Sequence, residues 1–257
     1  MDNKLIVDTD GHIATVRLNR PDAYNTLDVE MLNTLPGILR KLADDKNIRC
    51  VVITGTGEKA FCAGGDVSGL ASGTGEATEN KLSEQLVRWG QASLLLREMP
   101  KPSLAVVNGA AAGAGMALAL ACDFRLASHN AHFTTAFSNL AMSGDFGGSY
   151  FLTQIVGTAK ARELYYFSER VSSEEALQLG LVNWLCDSDK LSEKTAELTA
   201  RLTALPTLTA STIKENMNAS LSDRAKDMIE KESYSMIKTA MSKETQQAAI
   251  KFFAKKI

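Results

Sequence analysis

Two stretches of small residues, each directly after a short apolar run, restrict this chain more than any other feature. The first is Lys59-Ala60-Phe61-Cys62-Ala63-Gly64-Gly65-Asp66-Val67, after Cys50–Thr54. The second is Asn108-Gly109-Ala110-Ala111-Ala112-Gly113-Ala114-Gly115, after Ser103–Val107, and it opens the apolar run Met116–Ala121. The two short runs read as buried strands. A run that is apolar on every face reads as a buried helix. Small residues at such junctions leave backbone N–H groups uncovered, and a helix N-terminus adds unpaired donors and partial positive charge. Taken singly, each loop is also what a tight strand–helix junction requires. Brought together, the two could hold one developing oxyanion between two backbone donors, a device worth about 3–4 kcal/mol per donor.

The rest of the chain frames these loops. Leu5–Thr9 and Ile13–Leu18, joined by Asp10-Gly11, predict a hairpin. Asp28 can cap a helix whose apolar positions are Leu32, Leu35, Leu39 and Leu42, with Pro36 predicting a kink or a late start. Residues 55–75 predict a long loop, mobile at Ser72-Gly73-Thr74-Gly75. Residues 79–98 predict a helix that Pro100 and Pro102 stop. Short strands are expected at Phe124–Leu126 and His132–Thr134. From about Lys190 only helical patterning remains, with a break at Pro206. Together these predict an α/β fold: a mostly parallel core over residues 1–190 and a helical C-terminal layer over 191–257.

The charge balance excludes some functions. With 28 basic and 30 acidic residues the net charge is −2, so no basic excess points to nucleic acid. Cys50, Cys62, Cys122 and Cys186 form no C-x-x-C pair, which argues against a zinc site or a disulfide framework and for free thiols in a reducing compartment. His12 is expected at the surface and His129 and His132 in structural roles; no metal site joins them. The start, Met1-Asp2-Asn3-Lys4, lacks a signal-peptide pattern, and Leu104–Cys122 is too interrupted to cross a bilayer. A cytoplasmic protein without a membrane segment is the expectation.

The two small-residue segments, in this order, resemble the signature of the crotonase (enoyl-CoA hydratase/isomerase) superfamily. The likeness extends to Leu18-Asn19-Arg20-Pro21-Asp22-Ala23-Tyr24-Asn25-Thr26-Leu27, similar to its N-terminal coenzyme A loop. It continues through Val171–Asn183, with Glu174-Glu175-Ala176 and Gly180-Leu181-Val182, to Phe252-Phe253-Ala254-Lys255. The resemblance implies a crotonase-like spiral of strand–strand–helix units and a homotrimer or dimer of trimers, its C-terminal region assembling the trimer and capping the pocket. It implies an acyl-CoA thioester as substrate, with coenzyme A entering as part of that substrate and no separate cofactor. By position the oxyanion donors are Gly65 and Ala114, where Ala114 replaces a usual glycine. Ala23, Lys59, Ala63, Gly64, Asp66, Val67, Phe137, Phe252 and Lys255 fall at substrate- or coenzyme A-binding positions. Lys59 suits a phosphate contact or a solvated loop lysine, and Asp66 also suits a structural bond within its own loop.

Family hydratases use two glutamates, and here those positions hold Ala117 and Phe137, neither able to transfer a proton. Ser143-Gly144-Asp145-Phe146-Gly147-Gly148-Ser149-Tyr150 instead resembles the aspartate loop of crotonase-type isomerases, including the ring-opening phenylacetyl-CoA branch. Phe137, Met142 and Phe146 would give Asp145 apolar surroundings, raising its pKa toward that of a useful carbon base. Asp145 also suits a cap on the helix that follows. The leading expectation is an enoyl-CoA isomerase using Asp145 as acid/base. Alternatives are a hydratase-type or other lyase with non-standard acid/base groups, or a non-catalytic binding protein on the same fold. An aspartate-nucleophile dehalogenase lacks its histidine in residues 79–99 and its aromatic clamp at Phe137. A dinucleotide oxidoreductase could claim only Gly55-Thr56-Gly57-Glu58-Lys59-Ala60, which lacks the required helix and acidic strand end.

Overall fold

The Asp10-Gly11 turn closes the expected hairpin: β1 (Leu5–Asp10) pairs antiparallel with β2 (Ile13–Leu18). Alternation in β2 buries Ala14, Val16 and Leu18, the period-two signature of a strand with one covered face. The computed structural model describes residues 3–67, 78–219 and 222–254. The loop expected to be mobile at Ser72–Gly75 and the residue Lys255 lie outside these.

The helix α1 (Val29–Asp44) starts at Asp28, whose carboxylate accepts from the Met31 amide at 3.0 Å. It runs through Pro36 without a late start, and Leu32, Leu35, Leu39 and Leu42 form its buried stripe as the spacing predicts. The chain then builds repeated units of strand, short strand and helix. The strands β3 (Cys50–Gly55) and β4 (Ala60–Cys62) precede α2 (Glu79–Glu98). Next come β5 (Ser103–Val107), β6 (Ala110–Ala112) and α3 (Ala114–Ala121). The third set is β7 (Phe124–Ser128), β8 (His132–Thr134) and α4 (Gly148–Phe167), the last broken at Gly157. Then follow β9 (Val171–Ser172), α5 (Ser173–Gln178) and β10 (Trp184–Cys186).

The first strands of these units form one six-stranded sheet, ordered β1-β2-β3-β5-β7-β10, with every pair after the hairpin parallel. The short strands form a second sheet, β4-β6-β8-β9. From residue 190 onward only helices follow: α6 (Leu191–Ala204), α7 (Thr207–Ala219), α8 (Ser222–Ala240) and α9 (Lys243–Ala254). The break at Pro206 separates α6 from α7. This is the strand–strand–helix spiral with a helical C-terminal layer.

Two expectations need correction. Residues 55–75 are not all loop, since β4 lies within them, and the turn expected at 108–115 contains β6 and the first turn of α3. Each strand is only three residues long, and the alanines of β6 carry little β propensity, so these strands exist through pairing with each other rather than through a pattern visible in sequence. Trp184–Cys186 adds a strand that the sequence reading did not include, paired parallel with β7. After Gly55 the chain enters β4 and no helix, which removes the dinucleotide-binding reading of 55–60.

Candidate active site

Small side chains bring the two loops together. A methyl group on Gly115 would overlap the Cys62 carbonyl, so only glycine lets α3 begin against β4. Gly64 takes φ +102°, and a Cβ there would sit 3.2 Å from the Ala112 carbonyl and 3.8 Å from the Ala114 nitrogen. The neighbouring amides are occupied: Leu27 N–H donates to the Gly64 carbonyl, Asp66 N–H to that of Leu27, and Gly113 N–H to that of Thr134. Among the described residues, the amides of Gly65 and Ala114 meet no backbone acceptor. Ala114 stands first in α3, where an N–H has no helical partner. Gly65 has open space around it.

Two buried asparagines hold this arrangement. Asn108 donates to the carbonyls of Gly57 and Ala60, and Asn25 donates to those of Thr56 and Ala60. The N-terminal loop is thereby tied to β4, and Ala63 N–H adds a bond to the Tyr24 carbonyl at 3.0 Å. Ala23, Ala63 and Gly64 thus lie on segments that meet. Lys59 is exposed beside them. The Asp66 carboxylate lies 3.3 Å from Arg20, a clamp between the two loops.

Asp145 occupies the loop before α4. Ala141, Gly144, Phe146 and Gly147 all take positive φ there, so the loop holds conformations that side chains other than glycine adopt only when their surroundings enforce them. The expected apolar surroundings are present, with Phe137, Met142 and Phe146 all buried. Phe137 joins a cluster that includes Leu140, Met142, Val67 and Tyr165, and its ring stacks on Tyr165. Asp145 is itself 6% exposed, and its Oδ1 has no hydrogen-bond partner. Burial, and next the charge of Glu232, push its carboxyl up to about 7.

The capping role considered for Asp145 falls to another residue. The start of α4 takes no side-chain bond from its own cap position, and Gly148 N–H donates to the backbone carbonyl of Asp145. The Ser149 amide donates instead to Glu232 on α8 at 3.0 Å. Sequence reasoning missed Glu232 and Tyr165. For Glu232 a signal existed: it shares a helical face with Ile229, Ser233 and Met236, and those three are buried or half-buried.

The positions that carry glutamates in hydratases, Ala117 and Phe137, line one cavity of about 10 Å³ with Gly113, Met116, Gly148 and Tyr165. That is room for about one water. The cavity joins the start of α3 to the start of α4, and a Cβ on Gly148 would stand 3.3 Å from that of Ala117. Of the other predicted residues, Phe252 lies on α9, edge-on to Phe253 and 37% exposed.

The remaining candidates are structural. His12 bonds the Asn47 carbonyl, His129 meets Glu174 and His132 meets Arg170. Cys50, Cys62 and Cys122 are buried free thiols pushed up to about 12, foremost by burial. Among the described residues no helix is long and apolar enough to cross a membrane.

The family model for enoyl-CoA hydratase/isomerase matches residues 8–257. YngF of Bacillus subtilis (strain 168) is 40% identical over 171 residues, 66% of this chain and 64% of that protein. The 1,2-epoxyphenylacetyl-CoA isomerase of Escherichia coli (strain K12) is 32% identical over 209 residues, 81% of this chain and 79% of the relative. Among solved structures, an enoyl-CoA hydratase from Mycobacterium avium subsp. paratuberculosis K-10 superposes with a TM-score of 0.87 at 27% identity, covering 96% of this chain and 98% of that one.

Proposed function

The chain belongs to the enoyl-CoA hydratase/isomerase family, and from that premise we propose that it is an enoyl-CoA isomerase with Asp145 as its acid/base. One observation carries this reading. Asp145 is a buried carboxyl with an unpartnered oxygen in a loop whose capping work is done elsewhere. Native structures rarely bury a polar group without employing it, and perturbed carboxyls of this kind concentrate where protons move.

The thioester carbonyl of a 3-enoyl-CoA would accept from the amides of Gly65 and Ala114. Asp145 takes a proton from the carbon beside the thioester, and the electron pair of that C–H bond moves onto the carbonyl oxygen as a dienolate. The two donors stabilise this charge more than they stabilise the substrate carbonyl. The protonated Asp145 returns the proton two carbons further along, and the double bond comes into conjugation. One base near neutral pKa suffices for such a shuttle. Coenzyme A would run along the loop of Ala23 and the segment Lys59–Gly64, with Lys59 at its phosphates. Val67 and Phe137 would flank the acyl chain. Names among the relatives include both hydratases and an isomerase. The isomerase reading is favoured because Ala117 and Phe137 cannot serve the two-carboxylate addition of water.

Turnover of 3-hexenoyl-CoA by the wild type and by Asp145→Asn tests this. A loss of about 100-fold or more is expected, the usual range for a removed general base. Equal rates would end the proposal, and wild type that leaves 3-hexenoyl-CoA untouched but hydrates 2-hexenoyl-CoA to a 3-hydroxyacyl product would replace it with a hydratase.

A further inference from the structure

Asp145 is not the only buried carboxyl at the start of α4. Glu232 reaches in from α8 and is 6% exposed. Its Oε1 accepts from both the amide and the hydroxyl of Ser149, while its Oε2 has no hydrogen-bond partner. Asp145, four positions before Ser149, presents an equally unpartnered Oδ1. Like charges buried in one apolar region cannot both ionise freely, and their protons come off in steps that belong to the pair.

The backbone distinguishes the two. Both carboxyls are pushed up to about 7, foremost by burial. Glu232 alone is also drawn down, by the hydroxyl and amide of Ser149 and by the amides of Gly147 and Tyr150. These donors favour its ionised form, so Glu232 is the partner that carries the charge while Asp145 takes and returns the proton. Among the described residues, the other charges nearby stand exposed. Tyr165, on α4, is the third titratable group nearby, and both carboxyl charges add to the burial that raises its phenol. The side of α2 facing the loop is Gly90, where a Cβ would stand 3.1 Å from Ile229 and 3.9 Å from Phe146. Its Glu84 and Arg88 are exposed, as are Lys238 on α8 and Lys243 and Lys251 on α9. No titratable side chain stands on α3.

We propose that Glu232 and Asp145 form one acid–base unit holding a single proton between them near neutrality, with Glu232 as the positioning residue that raises the basicity of Asp145. This rests on Asp145 being the base. Glu232 does not touch substrate; its charge acts through Asp145. A carboxylate poised near the working pH takes a carbon proton more readily than one at its ordinary value.

Glu232→Gln keeps an oxygen for the Ser149 donors and removes only the charge. With 3-hexenoyl-CoA, the acidic limb of kcat/KM against pH should move down by about one pH unit or more. The plateau should fall roughly tenfold as the base weakens. An unmoved acidic limb in this variant, with Asp145→Asn inactive, would make Glu232 a plain helix cap and overturn the proposal. Full activity of Asp145→Asn would instead overturn the reading beneath it. Should Glu232→Gln fail to fold, carboxyl-carbon NMR titration of the wild type decides. Two carboxyls titrating together in two linked steps support the pair, and Asp145 titrating in one step near the ordinary aspartate range overturns it.

Discussion

At the residue scale, a buried carboxyl without a partner costs stability, and that cost is measurable without knowing the substrate. Asp145 and Glu232 are both raised from ordinary carboxylate values to about 7. Between about pH 4 and 7 the folded chain therefore keeps protons that the unfolded chain has released. Stability from these groups is fully present below that window and is lost as pH rises through it. Asp145→Asn removes the group that must ionise. It should unfold at a higher temperature than the wild type at pH 8, by about 2–4 °C for each kcal/mol recovered, and should match the wild type near pH 4. Thermal unfolding of both proteins at the two pH values checks this. A variant less stable than the wild type at pH 8 would show that Asp145 is held by bonds that favour its charge. A gain in stability paired with a loss of turnover is the pattern of a strained functional group.

At the element scale, everything turns on how α3 starts. Its first amide, that of Ala114, is the proposed second oxyanion donor, and helix position N1 tolerates proline because its N–H lacks a helical partner anyway. Ala114→Pro should therefore delete one donor while leaving α3 formed. Turnover should fall about 10²–10³-fold, with an unfolding temperature and far-ultraviolet circular dichroism close to the wild type. Normal turnover from a folded variant would remove Ala114 from the mechanism. The apolar run after this amide made α3 legible in sequence, as the Asp-Gly turn made the hairpin and the leucine spacing made α1. The strands β4 and β6 were not legible, because three residues, triple alanine in β6, become a strand only by pairing with a neighbour that sequence does not reveal. Glu232 was legible only as a member of a buried helical face; that the face meets the Asp145 loop was not, since Glu232 stands 83 residues beyond Ser149.

At the scale of the whole molecule, the spiral leaves apolar side chains in water. Tyr166 and Phe167 at the end of α4 are 77% and 68% exposed, and Leu208 and Met217 on α7 are 78% and 70% exposed. Beside α7 runs a largely apolar groove of about 240 Å³ lined by Leu202, Leu205, Ala210, Ile213 and Met217. Isolated exposed hydrophobics are ordinary, but large aromatic and aliphatic groups gathered on two elements mark surfaces that another chain covers. Closed cyclic assemblies of identical chains are the usual way to cover such surfaces, and the homotrimer that the sequence resemblance implies is one such assembly to test. Sedimentation equilibrium should then give a mass three times that of one chain, or six times if two trimers stack. Replacing Tyr166 and Leu208 together by glutamate should shift the distribution toward single chains, because burying two unpaired charges opposes association. A wild-type particle of one chain at micromolar concentration would show that these faces stay in water. The active-site proposal would survive that result, since the Gly65 and Ala114 amides, Asp145 and Glu232 all come from one chain.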